Sequence, residues 1–268
     1  MIEQPPSPSN DLALALELAD LADSISLPRF RSADLRVDTK PDRTFVTDAD
    51  TAVEAAIRAR IEQERPADGF LGEESGRTDR GGRRWILDPI DGTSNFLRGV
   101  PNWGTLIALE VDGEVTLGVV SAPACGARWW AETGAGAWAQ SAGGDPRRLH
   151  VSQVQQLSDA SVSFQSIAQW DEAGYLDPLI ALSRAVWRDR AYGDMWSYMA
   201  LAEGLLDAVA EFDVKPYDLA ALVPIVREAG GAFTDIAGTS NIWNGSSLAS
   251  NGHLHAAVVQ TVAAARGI

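Results

Sequence analysis

The chain has 268 residues, a formal net charge of −15 at pH 7 and 46% hydrophobic residues. This length allows a substantial hydrophobic core, in one large domain or in two coupled halves. The acidic balance argues against sequence-independent binding to nucleic acid, which requires a basic surface.

Two further features restrict the class of protein. The single cysteine, Cys125, excludes an intramolecular disulfide and a cysteine-rich zinc site, and we expect it to be a buried structural thiol. No apolar run approaches membrane-spanning length, and the N-terminus lacks the basic-then-apolar layout of a signal peptide. These features predict a cytoplasmic protein without a membrane or nucleic-acid partner.

The first third of the chain predicts two helices. The first spans residues 11–27, is capped by Ser9 or Asn10, and stops before Pro28. The second begins at Thr47-Asp48-Ala49-Asp50, which has the spacing of a capping box, and its apolar residues then recur at helical intervals. Asp50 therefore has a possible role that is purely structural, as a helix cap.

Short strands follow. The apolar pair at 70–71 leads into Gly72-Glu73-Glu74, and the charged, glycine-rich segment 76–84 is predicted to be a loop. From 103 to 149 the pattern is that of an antiparallel meander, with a hairpin signal at Asp112-Gly113. Beyond it, predicted strands alternate with predicted helices at 175–184, 194–206, 218–228 and 253–265, which indicates a mixed, mostly parallel sheet. We therefore divide the chain into an N-terminal α+β half, 1–150, and a C-terminal α/β half, 151–268.

The segment most suggestive of chemistry is Asp88-Pro89-Ile90-Asp91-Gly92-Thr93, which follows the apolar run 85–87. Carboxylates at the end of a strand bind hard cations, and the N–H groups of a helix start bind phosphate. Asp, Pro and Gly are also ordinary turn residues, so a solvated turn is the alternative. The same choice, between a solvated loop and a cation site, applies to Glu73 and Glu74.

Four fragments, taken together and in this order, resemble the inositol monophosphatase family, which comprises magnesium-dependent phosphatases of small phosphate esters. The fragments are Val46-Thr47-Asp48-Ala49-Asp50, Gly72-Glu73-Glu74, Asp88-Pro89-Ile90-Asp91-Gly92-Thr93 and Tyr217-Asp218-Leu219-Ala220. Within the family, the segments from Asn95 to Trp103 and from Arg190 to Asp194 are most similar to histidinol-phosphatases of actinobacterial type. Ser94 and Tyr217 depart from that pattern, since lysine and tryptophan are usual there. The resemblance implies a layered αβαβα sandwich and, commonly, a homodimer.

The resemblance also implies a site with two to three Mg²⁺ ions. Glu73, Asp88 and the carbonyl of Ile90 would hold one ion, and Asp88, Asp91 and Asp218 the second. The absence of histidine and cysteine ligands agrees with a hard cation. Phosphate would bind at Gly92, Thr93 and Ser94, and the residues expected to act in catalysis are Asp50, Thr93 and Glu74.

The resemblance implies that Glu211, seven residues before Asp218, contacts the organic part of the substrate, and that Arg190 and Asp194 line the same pocket. Asp218 is also expected to bind substrate. Histidinol phosphate presents an ammonium and an imidazole, which suit the acidic residues Asp194 and Glu211. Asp194 could instead cap a helix, and Arg190 could be a surface residue in an ion pair. We expect hydrolysis of histidinol phosphate; the alternatives are an inositol or sugar-phosphate phosphatase and a regulator without catalytic activity.

Overall fold

A computed structural model describes residues 3–41 and 44–266 of the chain. Its first helix, α1, spans Asn10–Arg29 and begins where the Ser9 hydroxyl accepts a hydrogen bond from the Leu12 N–H at 3.1 Å. The prediction that this helix stops before Pro28 is wrong, because the last turn continues past the proline. The Phe30 N–H closes that turn by donating to Ser26 and Leu27 carbonyls, so that Pro28 removes only its own donor.

A short hairpin precedes the second helix. It consists of β1 (Val37–Thr39) and β2 (Phe45–Thr47), and α2 follows directly as Asp48–Glu64. The capping box is confirmed, since the Thr47 N–H donates to the Asp50 carboxylate at 2.8 Å and the Thr47 hydroxyl accepts from the Asp50 N–H. This box fixes the orientation of Asp50 at the first turn of α2.

The larger sheet contains the strands of the N-terminal half. Its strand order is β10-β9-β8-β7-β6-β5-β3-β4, and all pairs are antiparallel except β3 with β5. The predicted loop 76–84 contains an edge strand, β4, which pairs with β3. A short helix, α3 (Thr93–Arg98), connects β5 to β6. The strands are β3 Gly69–Gly72, β4 Gly76–Thr78, β5 Arg83–Asp91, β6 Gly104–Val111, β7 Glu114–Ala122, β8 Ala127–Glu132, β9 Ala137–Ser141 and β10 Arg147–Arg148.

Cys125 corrects one expectation. It is exposed, in the 3₁₀ turn Pro123–Cys125 that connects β7 to β8, and its thiol donates to the Pro101 carbonyl at 3.3 Å. The prediction of a buried structural thiol is therefore wrong, because the residue lies in a connection rather than on a strand face.

The smaller sheet has the order β12-β11-β13-β15-β14. Strand β11 pairs in parallel with β12 and β13, whereas β15 pairs antiparallel with β13 and β14, so the sheet is mixed, as predicted. Its strands are β11 Ser161–Phe164, β12 Arg188–Arg190, β13 Ala208–Phe212, β14 Ala232–Thr234 and β15 Ser246–Ser250.

Six helices accompany this sheet in the described part of the chain. One of them, α4, was not predicted, and the predicted helix 218–228 is divided into α7 and α8. Pro224 lacks the N–H that would bond to the Ala220 carbonyl, which accounts for the interruption. The helices are α4 Ile167–Glu172, α5 Leu176–Ala185, α6 Asp194–Ala202, α7 Pro216–Leu219, α8 Leu222–Glu228 and α9 His255–Arg266.

The buried apolar residues define five alternating layers. One face of the larger sheet packs against α1 and α2, and its other face packs against α6 and α8. These two helices also cover one face of the smaller sheet, whose opposite face packs against α4, α5 and α9. The predicted αβαβα sandwich is confirmed.

Side-chain alternation along β5 decides where its acidic end points. Trp85 and Leu87 pack towards α1 and α2, whereas Ile86 packs towards the middle layer of helices. Because successive strand residues face opposite sides, Asp88 follows Ile86 into the middle of the molecule. No helix in the described ranges is long and apolar enough to cross a membrane.

Candidate active site

Three carboxylates meet where β5 ends. Asp88 and Asp91 are buried on either side of a register irregularity in the pairing of β5 with β6, and Asp218 lies in the short helix α7. One carboxylate oxygen from each residue lies within 4.8 Å of the others. The turn is held by the Ile90 N–H, which donates to Asp88 Oδ1 at 3.0 Å. Folding thus brings together two acidic segments that are far apart in the chain.

The electrostatics of this cluster favour a bound cation. Burial, and then the neighbouring carboxylates, raise the pKa of Asp88 and of Asp91 well above the ordinary range. Burial likewise raises the pKa of Asp218 to about 7. Buried carboxylates at this spacing repel one another unless protons or cations neutralise them. Since all the donors are oxygen atoms, the residues present fit a hard divalent cation such as Mg²⁺.

Glu73 and Glu74 take different positions. Glu73 lines the same cavity as the three aspartates, whereas Glu74 is outside the set of residues that line it. Lys40 Nζ lies 2.7 Å from Oε1 of each glutamate. The buried carboxylate of Glu54 accepts hydrogen bonds from the Glu74 and Ser75 N–H groups at 2.9 and 2.5 Å, which fixes the turn. Sequence analysis did not single out Lys40 or Glu54, and the only available signal was the place of Glu54 beside the apolar stripe of α2.

Asp50 and Thr93 are brought together, and the geometry of Asp50 allows both roles considered for it. Its Oδ2 accepts from the N–H and hydroxyl of Thr47, at 2.8 and 2.5 Å. Its Oδ1 faces Thr93, whose hydroxyl lies 3.4 Å from Asp50 Oδ1 and 3.0 Å from the Ile90 carbonyl. Burial raises the pKa of Asp50 to about 6. One oxygen is occupied by helix capping while the other is directed to the site.

Helix α3 begins at the floor of the cavity. Its N-cap, Gly92, has a φ of 81°, in the left-handed region that favours glycine. A Cβ there would lie 3.0 Å from the Asn102 carbonyl oxygen and 3.4 Å from Asp194 Oδ2. No side chain caps this helix start, and Thr93 and Ser94 both line the cavity. The first N–H groups of α3 are therefore available to an anion.

The cavity has a volume of about 600 Å³, and Asp194 forms part of its wall. Asp194 Oδ2 accepts a hydrogen bond from the Asn95 amide at 2.7 Å, and its Oδ1 accepts one from the Gln165 amide at 3.0 Å. Gln165 Oε1 in turn accepts from the Asp194 N–H at 2.8 Å, which holds Asp194 at a φ of 52°. No side-chain cap bond is present at the start of α6, so the geometry does not favour a capping role for Asp194.

Arg190 is not brought into the cavity. It is exposed at the end of β12, and its guanidinium donates to the Asp189 carbonyl at 2.6 Å. Tyr192 and Gly193, which follow it, line the cavity instead. The segment therefore contributes backbone and an aromatic ring rather than a positive charge.

A smaller compartment of about 160 Å³ adjoins the cavity. Glu211 projects into it from β13; Tyr198 donates to Glu211 Oε2 at 3.0 Å, and Glu211 Oε1 has no hydrogen-bond partner among the described residues. Burial raises the pKa of Glu211 to about 8. Gln169 and Asp194 line the same compartment. The sequence had not singled out Tyr198, Gln165 or Gln169, although a carboxylate within an apolar strand does call for a donor.

Fold and site together define a layered α/β protein with an acidic, cation-type centre beside an uncapped helix start. The chain belongs to the inositol monophosphatase family, whose model matches residues 8–266.

Individual relatives agree with this membership. The chain is 53% identical over 247 residues to a histidinol-phosphatase of Mycobacterium tuberculosis, covering 92% of this chain and 95% of the relative. It is 50% identical over 250 residues to a histidinol-phosphatase of Streptomyces coelicolor, covering 92% and 94%. Among solved structures, the extragenic suppressor protein suhB of Bartonella henselae matches with a TM-score of 0.87 at 29% identity, covering 95% of this chain and 98% of that one.

Proposed function

We propose that the protein is a Mg²⁺-dependent phosphomonoesterase that hydrolyses L-histidinol phosphate to L-histidinol and phosphate in histidine biosynthesis. The observation that carries the proposal is the convergence of Asp88, Asp91 and Asp218 next to the start of α3, with an acidic compartment adjoining them. The names of the two histidinol-phosphatase relatives support the choice of substrate.

Two ions can be assigned to this chain's residues, and Glu73 is the candidate for a weaker third. Glu73, Asp88 and the Ile90 carbonyl would hold one ion, while Asp88, Asp91 and Asp218 would hold the other. The mutual repulsion that raises the pKa of the buried aspartates supports this assignment, since cations would relieve it. When bound, Mg²⁺ supplies charge that stabilises the phosphate oxygens and the leaving oxygen.

The chain's own groups then bind the phosphate and accept a proton. Backbone N–H groups at Gly92 and Thr93, with Ser94 beside them, would receive phosphate oxygens. A water next to Thr93 would donate to its hydroxyl, which lies within reach of Asp50 Oδ1 and is oriented by it. As the water oxygen attacks phosphorus in line, the bond to the leaving oxygen breaks, the water proton passes through Thr93 to Asp50, and the leaving alkoxide takes a proton from solvent. Glu74, outside the cavity, would act through Lys40, which it shares with Glu73.

The organic half of the substrate would lie against Asp194 and Glu211. A carboxylate facing an ammonium forms a charge-assisted hydrogen bond, which is stronger than a neutral one. Arg190 is exposed and lies outside the cavity, so we propose no contact between Arg190 and the substrate. The second candidate is an inositol or sugar-phosphate phosphatase, since the same carboxylates could accept hydrogen bonds from hydroxyl groups and the family takes its name from that activity.

The test is a phosphate-release assay with histidinol phosphate, inositol 1-phosphate and fructose 1,6-bisphosphate, each at several concentrations with Mg²⁺. We expect kcat/KM to be highest for histidinol phosphate. Equal or better hydrolysis of inositol 1-phosphate would replace the first candidate by the second. Absence of phosphate release from all three substrates would favour a regulator instead.

The proposal also includes a cytoplasmic homodimer and two halves, 1–150 and 151–268. One hydrophobic cluster contains residues of both halves, which supports coupling between them. Light scattering on the purified protein tests the dimer, since a mass near that of one chain would exclude it.

A further inference from the structure

Helix α4, which no sequence pattern indicated, carries a polar residue to the boundary of both compartments. Gln169 lines the main cavity and also the smaller compartment that contains Glu211. Its Oε1 is buried and has no hydrogen-bond partner among the described residues. A buried acceptor of this kind is costly unless a ligand or a water supplies the donor.

The neighbouring groups show what kind of ligand would satisfy it. Glu211 Oε1, in the same compartment, is also a buried acceptor without a partner among the described residues. The amide of Gln165, in the connection between β11 and α4, is already used at both ends by Asp194. Gln169 is therefore the glutamine whose acceptor remains available. A ligand group with several N–H donors matches such a set of acceptors.

We infer that Gln169 determines substrate specificity by accepting a hydrogen bond from the N–H-rich, cationic half of the substrate, beside Glu211. This inference rests on the proposed function. According to this inference, α4 forms part of the surface that recognises the organic group of the substrate, and it does not bind the phosphate. Its effect is therefore expected in ground-state binding, which KM and the affinity for the phosphate-free product measure.

The experiment compares Gln169→Leu, which has no acceptor, with Gln169→Glu, which retains one. Gln63→Leu, at an exposed position of α2, is the control for a Gln→Leu change on a helix. For each purified protein with Mg²⁺, kcat and KM are measured for histidinol phosphate and for p-nitrophenyl phosphate. The inhibition constant of L-histidinol and the melting temperature are measured as well.

For Gln169→Leu we expect KM for histidinol phosphate and the inhibition constant of L-histidinol to rise about tenfold, the usual effect of one lost hydrogen bond to a charged group. The ratio of kcat/KM for histidinol phosphate to that for p-nitrophenyl phosphate should fall by a similar factor. Gln169→Glu should restore most of the affinity, and Gln63→Leu should match the wild type.

Two failures are distinguishable. If the wild type prefers histidinol phosphate to inositol 1-phosphate but Gln169→Leu leaves KM and the inhibition constant unchanged, the inference is wrong and the proposed function stands. An equal loss for both phosphate esters, or failure of Gln169→Glu to restore affinity in a protein of wild-type melting temperature, also overturns it. If the wild type shows no preference for histidinol phosphate and does not bind L-histidinol, the proposed function fails and the inference fails with it.

Discussion

Replacing Glu211 by glutamine tests two effects of this carboxyl group, one on the free energy of unfolding and one on recognition of the substrate. The Glu211 side chain is buried within β13, where Tyr198 donates to one oxygen and the other has no partner among the described residues. Burial raises its pKa from an ordinary value of 4.5 to about 8. Folding at neutral pH therefore requires this carboxyl to take up a proton, and glutamine removes that requirement while keeping the size.

The magnitude follows from proton linkage. Between pH 4.5 and pH 8 the folded protein binds more protons at Glu211 than the unfolded chain, so the free energy of unfolding falls as the pH rises through this window. At pH 7 the cost is about 3.5 kcal/mol, from ~2.5 pH units at ~1.4 kcal/mol per unit. Glu211→Gln should thus stabilise the metal-free protein by about 3.5 kcal/mol at pH 7 and by almost nothing near pH 4.5.

Urea unfolding of the metal-free wild type and variant at several pH values between 5 and 8 measures this difference. The gap in the free energy of unfolding should widen as the pH rises. The exposed Glu172→Gln, on α4, is the matched control and should give a gap that does not depend on pH. A constant gap for Glu211→Gln, or a variant less stable than the wild type at pH 8, would refute the reasoning.

The same variant should lose substrate preference. A bound ammonium favours the ionised form of Glu211, and at pH 8 or above little free energy is needed to ionise it. The charge-assisted hydrogen bond is then worth about 1.5–3 kcal/mol, so at that pH the preference for histidinol phosphate over inositol 1-phosphate should decrease about tenfold to a hundredfold. A preference that survives in Glu211→Gln would show that this carboxylate does not recognise the cation.

Three further predictions concern the metals, the attacking water and the backbone at the start of α3. Asp88→Asn should lower kcat by several orders of magnitude, and removal of Mg²⁺ with EDTA should have the same effect on the wild type. Full turnover in metal-stripped buffer would contradict the metal mechanism. Thr93→Ala and Asp50→Asn should each lower kcat, with little change in the Mg²⁺ affinity measured by calorimetry. If Asp50→Asn loses stability but not kcat, the role of Asp50 is helix capping alone. Gly92→Ala should destabilise the protein by about 1–2 kcal/mol in urea, because a Cβ is strained at this φ, and wild-type stability would show that the loop relaxes.

The features that sequence predicted correctly are those decided by neighbouring residues. The capping box of α2 depends on Thr47 and Asp50, three positions apart, and the structure contains it. The hairpin at Asp112-Gly113 forms with φ values of 51° and 87°, as a turn of that composition requires. Short apolar runs on both sides of this turn likewise predicted the meander, and the structure pairs β6 with β7 and β7 with β8.

The sequence predicted the arrangement of the candidate site only in part. The family resemblance named Asp218 as a partner of Asp88 and Asp91, and the fold places their oxygens together. No local pattern could have shown this, since the meeting depends on how α7 packs beside the end of β5. Sequence analysis missed helix α4 for a different reason, because a helix of six residues has too few turns to show a clear hydrophobic period.

The tertiary structure alone decided which polar groups are satisfied and which are not. It places Asn95 and Gln165 on Asp194, leaves Arg190 outside the cavity, exposes Cys125, and leaves acceptor atoms of Glu211 and Gln169 without partners among the described residues. The sequence by itself determined most of the local elements, the family and the acidic residues, because these depend on residue type and spacing. Hydrogen-bond partners and burial at the site depend on side chains that approach from distant segments, and only the packing of the five layers fixes those distances.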